Sequence, residues 1–336
     1  MPRLSLHVAV ETLTLSAPFR ISGYVFETSD VIVVTLSDGE HRGRGEGSGV
    51  FYLHDDVPHM LAAIEGVRAS IEAGPSREEL RSILPPGGAR NAVDAALWEL
   101  EAQRAGKPVW ALAGMAQPRP LVTTFTLGAD TPEVMAAGAR RYADARSIKI
   151  KLTGELDLDV ARVNAIRAAR PDVWLGVDGN QGFGIADLDA LVAAMQAANV
   201  SLIEQPLARG READLDGYKS PIPLAADESA LSLTDVGTVA ARFDVFNIKL
   251  DKCGGLTEAL MIAVAARAAG LGVMVGNMVG TSLAMAPGYV LGQLCDIVDL
   301  DGPTFLKQDR VPGVEYRDGM VSCDDRVWGA DAMIAA

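Results

Sequence analysis

Short apolar segments that end in charged or polar residues recur at nearly constant intervals after residue 120. We place eight strand ends, separated by 22 to 27 residues, at Thr126, Lys151, Asp178, Glu204, Asp227, Lys249, Gly276 and Asp299. One strand, one helix and two short loops need about this many residues. The even spacing predicts an α/β protein with a (β/α)7β barrel similar to a TIM barrel. The alternative is an open doubly wound sheet, which does not require even units and commonly carries a phosphate-binding glycine turn.

The chain before Pro120 has a different pattern. Apolar residues alternate with polar or small ones from residue 4 to residue 10, which indicates a half-buried strand. A second extended run follows at Val31–Leu36, and residues 57–73 and 89–105 are predicted to be helical. This mixture is typical of a small α+β unit.

These patterns divide the chain into three parts. We expect an α+β capping domain at residues 1–118, the barrel at 119–301, and a C-terminal segment at 302–336 that packs back on the capping domain. The glycine-rich run Gly43–Gly47 has the spacing of a dinucleotide-binding loop, but no helix is predicted directly after it. A nucleotide site is therefore not expected there.

Three predicted strand ends carry a carboxylate, namely Asp178 in VDGN, Glu204 in IEQP and Asp227 in ADES. Catalytic groups of barrel enzymes lie at the carboxyl ends of the strands, so we expect these acids to lie side by side. Three carboxylates this close do not all ionise readily without a cation. Because Mg²⁺ prefers oxygen ligands in near-octahedral geometry, the sequence predicts a site for this ion.

Lysines flank the three acids. Lys149 and Lys151 are two residues apart on the second barrel strand, so they face the same side of it. Lys249 ends the sixth strand, which lies opposite the second strand in a closed barrel of eight. A lysine on each side can act as acid and base if it can lose a proton. We expect a neighbouring ammonium and a bound Mg²⁺ to lower the lysine pKa accordingly.

Two further acids, Asp299 and Asp301, form a same-face pair at the eighth strand. We expect this pair to lie far around the ring from the three metal acids. Two adjacent carboxylates would attract a cationic group, such as a substrate ammonium. A solvated turn before Gly302 is the alternative for this pair.

Composition excludes several classes of function. The 336 residues include 44 acids and 30 bases, a formal net charge of −14, which argues against nucleic-acid binding. All four histidines lie between positions 7 and 59, so a histidine-based zinc site or Ser-His-Asp triad within the barrel is excluded. The longest apolar stretch, Leu260–Met274, is too short to span a membrane. Three irregularly spaced cysteines indicate reduced thiols and a cytoplasmic protein.

Taken in order, the motifs resemble those of the enolase superfamily, in particular the muconate-lactonizing branch and, within it, the dipeptide epimerases. The resemblance covers nearly the whole chain, and the ordered set is specific although each motif alone is weak. The motifs are AVDAALWEL at Ala92–Leu100, KIKL at Lys149–Leu152, VDGNQGF at Val177–Phe183, IEQP at Ile203–Pro206, ADES at Ala226–Ser229, NIKLDKCGGLTEA at Asn247–Ala259, and DLDG at Asp299–Gly302. The mandelate-racemase branch uses a His-Asp pair as one base, and the barrel has no histidine.

The resemblance implies a capping domain on a (β/α)7β barrel and one Mg²⁺ per active site. The implied metal ligands are the three acids Asp178, Glu204 and Asp227. Lys151 and Lys249 would be the two acid/base groups, one on each face of the substrate α-carbon, and Lys149 would stabilise the developing enediolate.

Further residues are implied to contact substrate. Thr126 would contact the dipeptide, and Asp299 and Asp301 would hold its α-ammonium. Specificity would come from capping loops around residues 18–26 and 50–55. Ala-Glu enzymes tend to carry an arginine in the first loop; here Tyr24 occupies the matching position, and Arg20 is the nearest arginine.

We therefore expect a Mg²⁺-dependent dipeptide epimerase, an isomerase that inverts an α-carbon by two-base 1,1-proton transfer. The same site would also serve an N-succinylamino-acid racemase, an o-succinylbenzoate synthase or a muconate cycloisomerase, whose substrates lack a free ammonium. A non-catalytic barrel is disfavoured because all three acids and all three lysines are present. The expected partner is a small-molecule dipeptide, with Ala-Glu and apolar second residues both open. Because members of this branch often associate, we also expect a homo-oligomer.

Overall fold

The computed structural model describes residues 3–21 and 24–331, except for the side chains of Ile21 and Tyr24. A three-stranded antiparallel sheet comes first, with strands in the order β1 (Ser5–Ile21), β2 (Tyr24–Ser37) and β3 (Arg42–Gly47). A 3-10 turn at Phe51–Leu53 and five helices follow. The helices are α1 (Val57–Gly66), α2 (Arg68–Glu72), α3 (Arg77–Ile83), α4 (Gly88–Ala105) and α5 (Val109–Leu112).

The long helix α4 packs closely on β3 because β3 presents glycines to it. A Cβ on Gly43 would lie 2.0 Å from the carbonyl oxygen of Ala96, and a Cβ on Gly45 would lie 2.0 Å from that of Ala92. The backbones can approach this far only where the strand has no side chain. The glycine-rich run is therefore a packing strand, which agrees with the absence of a nucleotide loop.

The short strand β4 (Leu121–Val122) precedes eight parallel strands that lie side by side in chain order. They are β5 (Thr124–Leu127), β6 (Ser147–Lys151), β7 (Trp174–Asp178), β8 (Leu202–Glu204), β9 (Leu224–Ala226), β10 (Val245–Lys249), β11 (Gly272–Gly276) and β12 (Ile297–Val298). Each predicted strand end lies within one residue of the observed end. Hydrogen bonds from Leu300 N to Thr123 Oγ1, at 3.0 Å, and from Thr126 N to Asp301 Oδ2, at 2.6 Å, join the last strand region to the first. The sheet is thus a (β/α)7β barrel, as the spacing predicts.

Helices cover most of the barrel connections. They are α6 (Pro132–Arg141), α7 (Leu156–Ala169), α8 (Ile185–Ala197), α9 (Val236–Ala240), α10 (Leu250–Cys253), α11 (Leu256–Ala268) and α12 (Ser282–Gly292). The sequence predicts a helix after every strand, but β8 is followed by a 3-10 turn at Glu212–Leu215. The connecting segment carries Gly210, Gly217, Pro221 and Pro223, which oppose a continuous helix.

The C-terminal segment contacts both parts of the molecule. After a 3-10 turn at Gly302–Phe305, strands β13 (Glu315–Arg317) and β14 (Met320–Ser322) form a hairpin whose second strand pairs with β4. Arg310 reaches Glu11 at 2.8 Å and Glu46 at 2.9 Å in the first sheet. The C-terminal segment therefore contacts the first sheet. It also pairs with β4 at the start of the barrel, which the sequence did not predict.

Strand β6 shows how the two faces of a barrel strand differ. Ile148 and Ile150 are fully buried in the apolar layer that the helices complete, while Lys149 and Lys151 reach carboxylates of other barrel strands. This alternation follows from the period of two along a strand. No helix within the described residues is long and apolar enough to cross a membrane.

Candidate active site

The carboxylates of Asp178, Glu204 and Asp227 converge at the carboxyl ends of β7, β8 and β9. One oxygen from each lies within 4.8 Å of the others, and all three side chains are buried. Burial, together with the nearby charge of Asp178, raises the pKa of Glu204 to about 7. An all-oxygen ligand set with crowded negative charge fits a hard divalent cation such as Mg²⁺.

The three predicted lysines contact these acids directly. Lys151 Nζ lies 2.6 Å from Asp178 Oδ2, Lys249 Nζ lies 2.6 Å from Asp227 Oδ2, and Lys149 Nζ lies 3.2 Å from Glu204 Oε2. Such contacts place the ammonium groups around the three clustered acids, in the arrangement that the strand positions predict.

The lysine pKa values differ from the sequence-based expectation. Burial lowers the pKa of Lys249, but the Asp227 and Glu204 carboxylates outweigh burial and raise it overall. The pKa of Lys149 is raised as well, because Asp299 and Glu204 outweigh its burial. The sequence-based expectation considered a bound cation and a neighbouring ammonium, which both lower a lysine pKa. Among the protein groups, the carboxylates have the larger effect and raise the pKa.

Asp299 is linked to Glu204 through one lysine. Lys149 forms an ion pair with Asp299 and also contacts Glu204, so one ammonium bridges the two regions. Thr126 donates its backbone N–H to Asp301 at 2.6 Å, and its hydroxyl lies 3.5 Å from Asp299 Oδ1. The pair follows β12, which lies far around the ring from β7, β8 and β9 as expected, and the Lys149 side chain links the two regions across the barrel interior.

Three buried residues at this end of the barrel were missed by sequence reasoning. Lys252 Nζ lies 2.6 Å from Asp227 Oδ1, and Asn247 Nδ2 donates to Glu204 Oε1 at 2.7 Å. Burial and Asp227 raise the pKa of Glu228 to about 8, and its Oε2 has no hydrogen-bond partner within the described chain. Asn247 could have been found, because it lies two residues before Lys249 and therefore faces the same side of β10.

Acids outnumber bases at the carboxyl end of the barrel. Four buried lysines face six buried carboxylates, which leaves two excess negative charges when all ten groups are ionised. The lysines are 149, 151, 249 and 252, and the acids are Asp178, Glu204, Asp227, Glu228, Asp299 and Asp301. Burial and Asp299 also raise the pKa of Asp301 to about 7, in line with an excess of negative charge. This arrangement favours the binding of cationic groups.

A cavity of about 440 Å³ opens above these groups. Lys149, Lys151, Lys249 and Thr126 line its barrel side, and residues of both predicted specificity loops line its other side. Arg20 is placed elsewhere, since its guanidinium lies 3.6 Å from Asp130 and lines a neighbouring cleft. The side chain of Tyr24 lies outside the described residues.

Comparison with known protein families assigns the chain. Residues 4–114 match the mandelate racemase / muconate lactonizing enzyme N-terminal domain, and residues 134–327 match the enolase C-terminal domain-like family. The chain belongs to the enolase superfamily. The resemblance inferred from the ordered motifs is confirmed.

Superfamily members with known activities are similar over nearly the full length. The L-Ala-D/L-Glu epimerase of Escherichia coli is 36% identical, with 94% of this chain and 98% of that protein covered. An N-acetyl-D-glutamate racemase from a Pseudoalteromonas species is 37% identical, with 89% and 95% covered. Related proteins are thus epimerases and racemases that act on dipeptides or amino acid derivatives.

Solved structures give the same assignment. An enolase family member from Agrobacterium tumefaciens with homology to dipeptide epimerases, bound to sodium and L-Ala-L-Glu, has a TM-score of 0.92 and 37% identity, with 97% and 100% of the two chains covered. The dipeptide epimerase of Methylococcus capsulatus, complexed with Mg and L-Arg-D-Lys, has a TM-score of 0.89 and 30% identity, with 96% and 97% covered. Dipeptide complexes therefore exist for structures with this fold.

Proposed function

We propose that the protein is a Mg²⁺-dependent dipeptide epimerase that inverts the α-carbon of the residue bearing the free carboxylate. The convergence of three buried carboxylates, with Lys151 and Lys249 each 2.6 Å from one of them, carries this proposal. A dipeptide brings one ammonium and one carboxylate, so a dipeptide and one Mg²⁺ together supply a charge of +2. These positive charges oppose the negative charge of the buried carboxylates at the barrel end.

The proposed roles follow from the contacts. Asp178, Glu204 and Asp227 would hold Mg²⁺, which when bound stabilises the charge that develops on the substrate carboxylate. Lys151 breaks the α-C–H bond on one face, and the electron pair passes into the carboxylate to give an enediolate. Lys249 delivers a proton to the opposite face, and the lysines exchange roles for the other epimer.

Neighbouring residues support these two steps. A lysine that has accepted the proton is an ammonium with a carboxylate 2.6 Å away, and this contact stabilises the charged product of the transfer. Lys149, buried at the base of the cavity, places positive charge where the enediolate forms. Asp299 and Asp301 hold the substrate ammonium, and Thr126 positions Asp301 through its N–H.

Substitution of each lysine tests the two-base assignment. Lys151→Ala and Lys249→Ala should each abolish epimerisation of L-Ala-L-Xaa dipeptides, followed by chiral chromatography. In D₂O each variant should still exchange the α-hydrogen of the one epimer whose C–H faces the remaining lysine. Lys219→Ala, an exposed lysine outside the cavity, is the control and should behave as the wild type. Epimerisation at a near wild-type rate by either catalytic variant would refute the assignment.

Racemisation of N-acylated amino acids is a second candidate, because the Pseudoalteromonas racemase is 37% identical. N-acylated substrates lack the ammonium, so they would leave negative charge at Asp299 and Asp301 unbalanced. Asp301→Asn should therefore lower kcat/KM for dipeptides by about tenfold or more. For N-acetyl and N-succinyl amino acids, kcat/KM should rise or stay the same. An equal loss for both substrate classes would favour the second candidate.

The assembly and location are further proposals. The resemblance to this branch supports a homo-oligomer, which light scattering after size-exclusion chromatography would test. The three cysteines are free thiols, which supports a cytoplasmic location. We also propose the division into a capping domain at 1–118, a barrel at 119–301 and a returning segment at 302–336, which limited proteolysis at the junctions would test.

A further inference from the structure

The capping side of the cavity is aromatic. Four of the eight phenylalanines in the chain, each half-buried, line it, namely Phe19, Phe26, Phe51 and Phe305. The ring centroids of Phe19 and Phe305 are 4.8 Å apart, and those of Phe26 and Phe51 are 5.4 Å apart. Phe19, Phe26 and Phe305 also pack on an apolar cluster that includes Leu15. We call these four phenylalanines the aromatic wall, and it offers apolar surface to whatever occupies the cavity.

The cations that line the cavity are already paired. Among the described lining residues they are Lys149, Lys151 and Lys249, and each contacts a buried carboxylate. No arginine is found in that set, and Arg20 is directed to Asp130 in the neighbouring cleft. An acidic substrate side chain would therefore meet the aromatic wall without a free positive charge, which is unfavourable for a buried carboxylate.

Acids on the capping side add to this effect, but their hydrogen bonds are occupied. Asp30 accepts a hydrogen bond from the Thr12 hydroxyl at 2.6 Å. Asp55 accepts from Gly88 N at 2.7 Å, and Asp56 accepts from His59 N at the start of α1. These carboxylates repel an acidic side chain.

We propose that the second residue of the dipeptide, the one that is epimerised, has an apolar side chain that packs on the aromatic wall. This inference rests on the proposed dipeptide epimerase function and specifies its substrate class. The charged barrel end binds the backbone ammonium and carboxylate, and the aromatic wall selects the side chain. Aromatic and large aliphatic side chains fit this surface, whereas Glu and Asp do not.

Wild-type kinetics provide the first test. We expect kcat/KM for L-Ala-L-Phe and L-Ala-L-Leu to exceed that for L-Ala-L-Glu by about tenfold or more, measured by α-deuterium incorporation in D₂O with Mg²⁺. A preference for L-Ala-L-Glu would overturn the inference and leave the epimerase function intact. A preference for L-Ala-L-Lys would also overturn it, and would mean that Asp30, Asp55 and Asp56 recognise a cation. Failure to exchange any dipeptide would refute the epimerase function itself, and this inference with it.

A charge introduced into the wall provides the second test. Phe26→Arg should lower kcat/KM for L-Ala-L-Phe and raise that for L-Ala-L-Glu, so that their ratio falls by about tenfold or more. Val10→Arg is the matched control, because Val10 lies in β1 of the same sheet but outside both specificity loops, is 51% exposed and does not line the cavity. The control should keep the wild-type ratio. An unchanged ratio in a folded Phe26→Arg variant, checked by circular dichroism, would contradict the role of the wall.

Discussion

Asp251 is a buried carboxylate at the contact between the capping sheet and the barrel, and its ionisation should cost stability. It lies in α10, two residues after Lys249, and is 6% exposed. Its Oδ1 accepts hydrogen bonds from Ser48 N at 2.9 Å and from Asn91 Nδ2 at 3.1 Å. Asp251→Asn keeps an oxygen acceptor for both donors and removes the charge, so we predict a more stable protein at neutral pH.

The size of the effect follows from the pKa. Burial raises the pKa of Asp251 from its ordinary value of 3.8 to about 6, against the opposing hydrogen bonds from Ser48 and Asn91. Roughly two pH units correspond to about 3 kcal/mol. Because the folded-state pKa is the higher one, stability from this group is complete below about pH 4 and is lost as the pH rises through 6. Asn mimics the protonated state, so its advantage should be about 3 kcal/mol at pH 8 and roughly half of that at pH 5.

Thermal unfolding at these two pH values is the assay. Unfolding entropy of about 2 cal/mol/K per residue converts about 3 kcal/mol into a rise in Tm of about 4 °C for a chain of this length. Asp251→Ala is the control, because it leaves Ser48 N and Asn91 Nδ2 without this acceptor and should lower Tm. A lower Tm for Asp251→Asn at pH 8, or the same difference at pH 5 and pH 8, would refute the reasoning.

Four further outcomes are expected. Glu204→Gln should weaken Mg²⁺ binding by about tenfold or more in calorimetry, because it removes one of three carboxylate ligands, and chelation of Mg²⁺ should abolish α-hydrogen exchange until Mg²⁺ is restored. In the wild type, Mg²⁺ affinity should fall as the pH drops below 7, since the pKa of Glu204 is raised to about 7 and protons then compete with the metal. Gly45→Ala should lower Tm or prevent folding, because its Cβ would lie 2.0 Å from the carbonyl oxygen of Ala92. Gly66→Ala is the control: its Cβ would have nothing within 4 Å, so Tm should not fall.

The barrel could be predicted from the sequence because its strands are buried on both sides and end abruptly. Charged residues such as Asp178 and Glu204 interrupt apolar runs at the point where each strand leaves the core, so the interruptions mark the strand ends within one residue. The candidate site followed from the same interruptions, since the carboxyl ends of parallel strands meet at one end of a barrel.

Other features depend on three-dimensional contacts that no local pattern encodes. Lys252 belongs to α10, and its contact with Asp227, 25 positions earlier in the chain, could not be predicted from its spacing from Lys249. Phe19 and Phe305 are neighbours in space but 286 positions apart in the chain. Asp299 and Lys149 form an ion pair although they are 150 positions apart in the chain, because barrel closure leaves only β5 between their strands.

The aromatic wall and Lys249 are connected through Asp251 in this structure. Phe51 of the aromatic wall lies three residues after Ser48, whose N–H is held by Asp251 and whose hydroxyl donates to the Val279 carbonyl at 2.8 Å. Asp251 lies between Lys249 and Lys252, which both bind Asp227. Loss of the Ser48 anchor in Asp251→Ala should therefore raise KM for apolar dipeptides, because the wall is displaced relative to the base. Asp251→Asn retains the anchor, so its KM should match the wild type even though its stability changes.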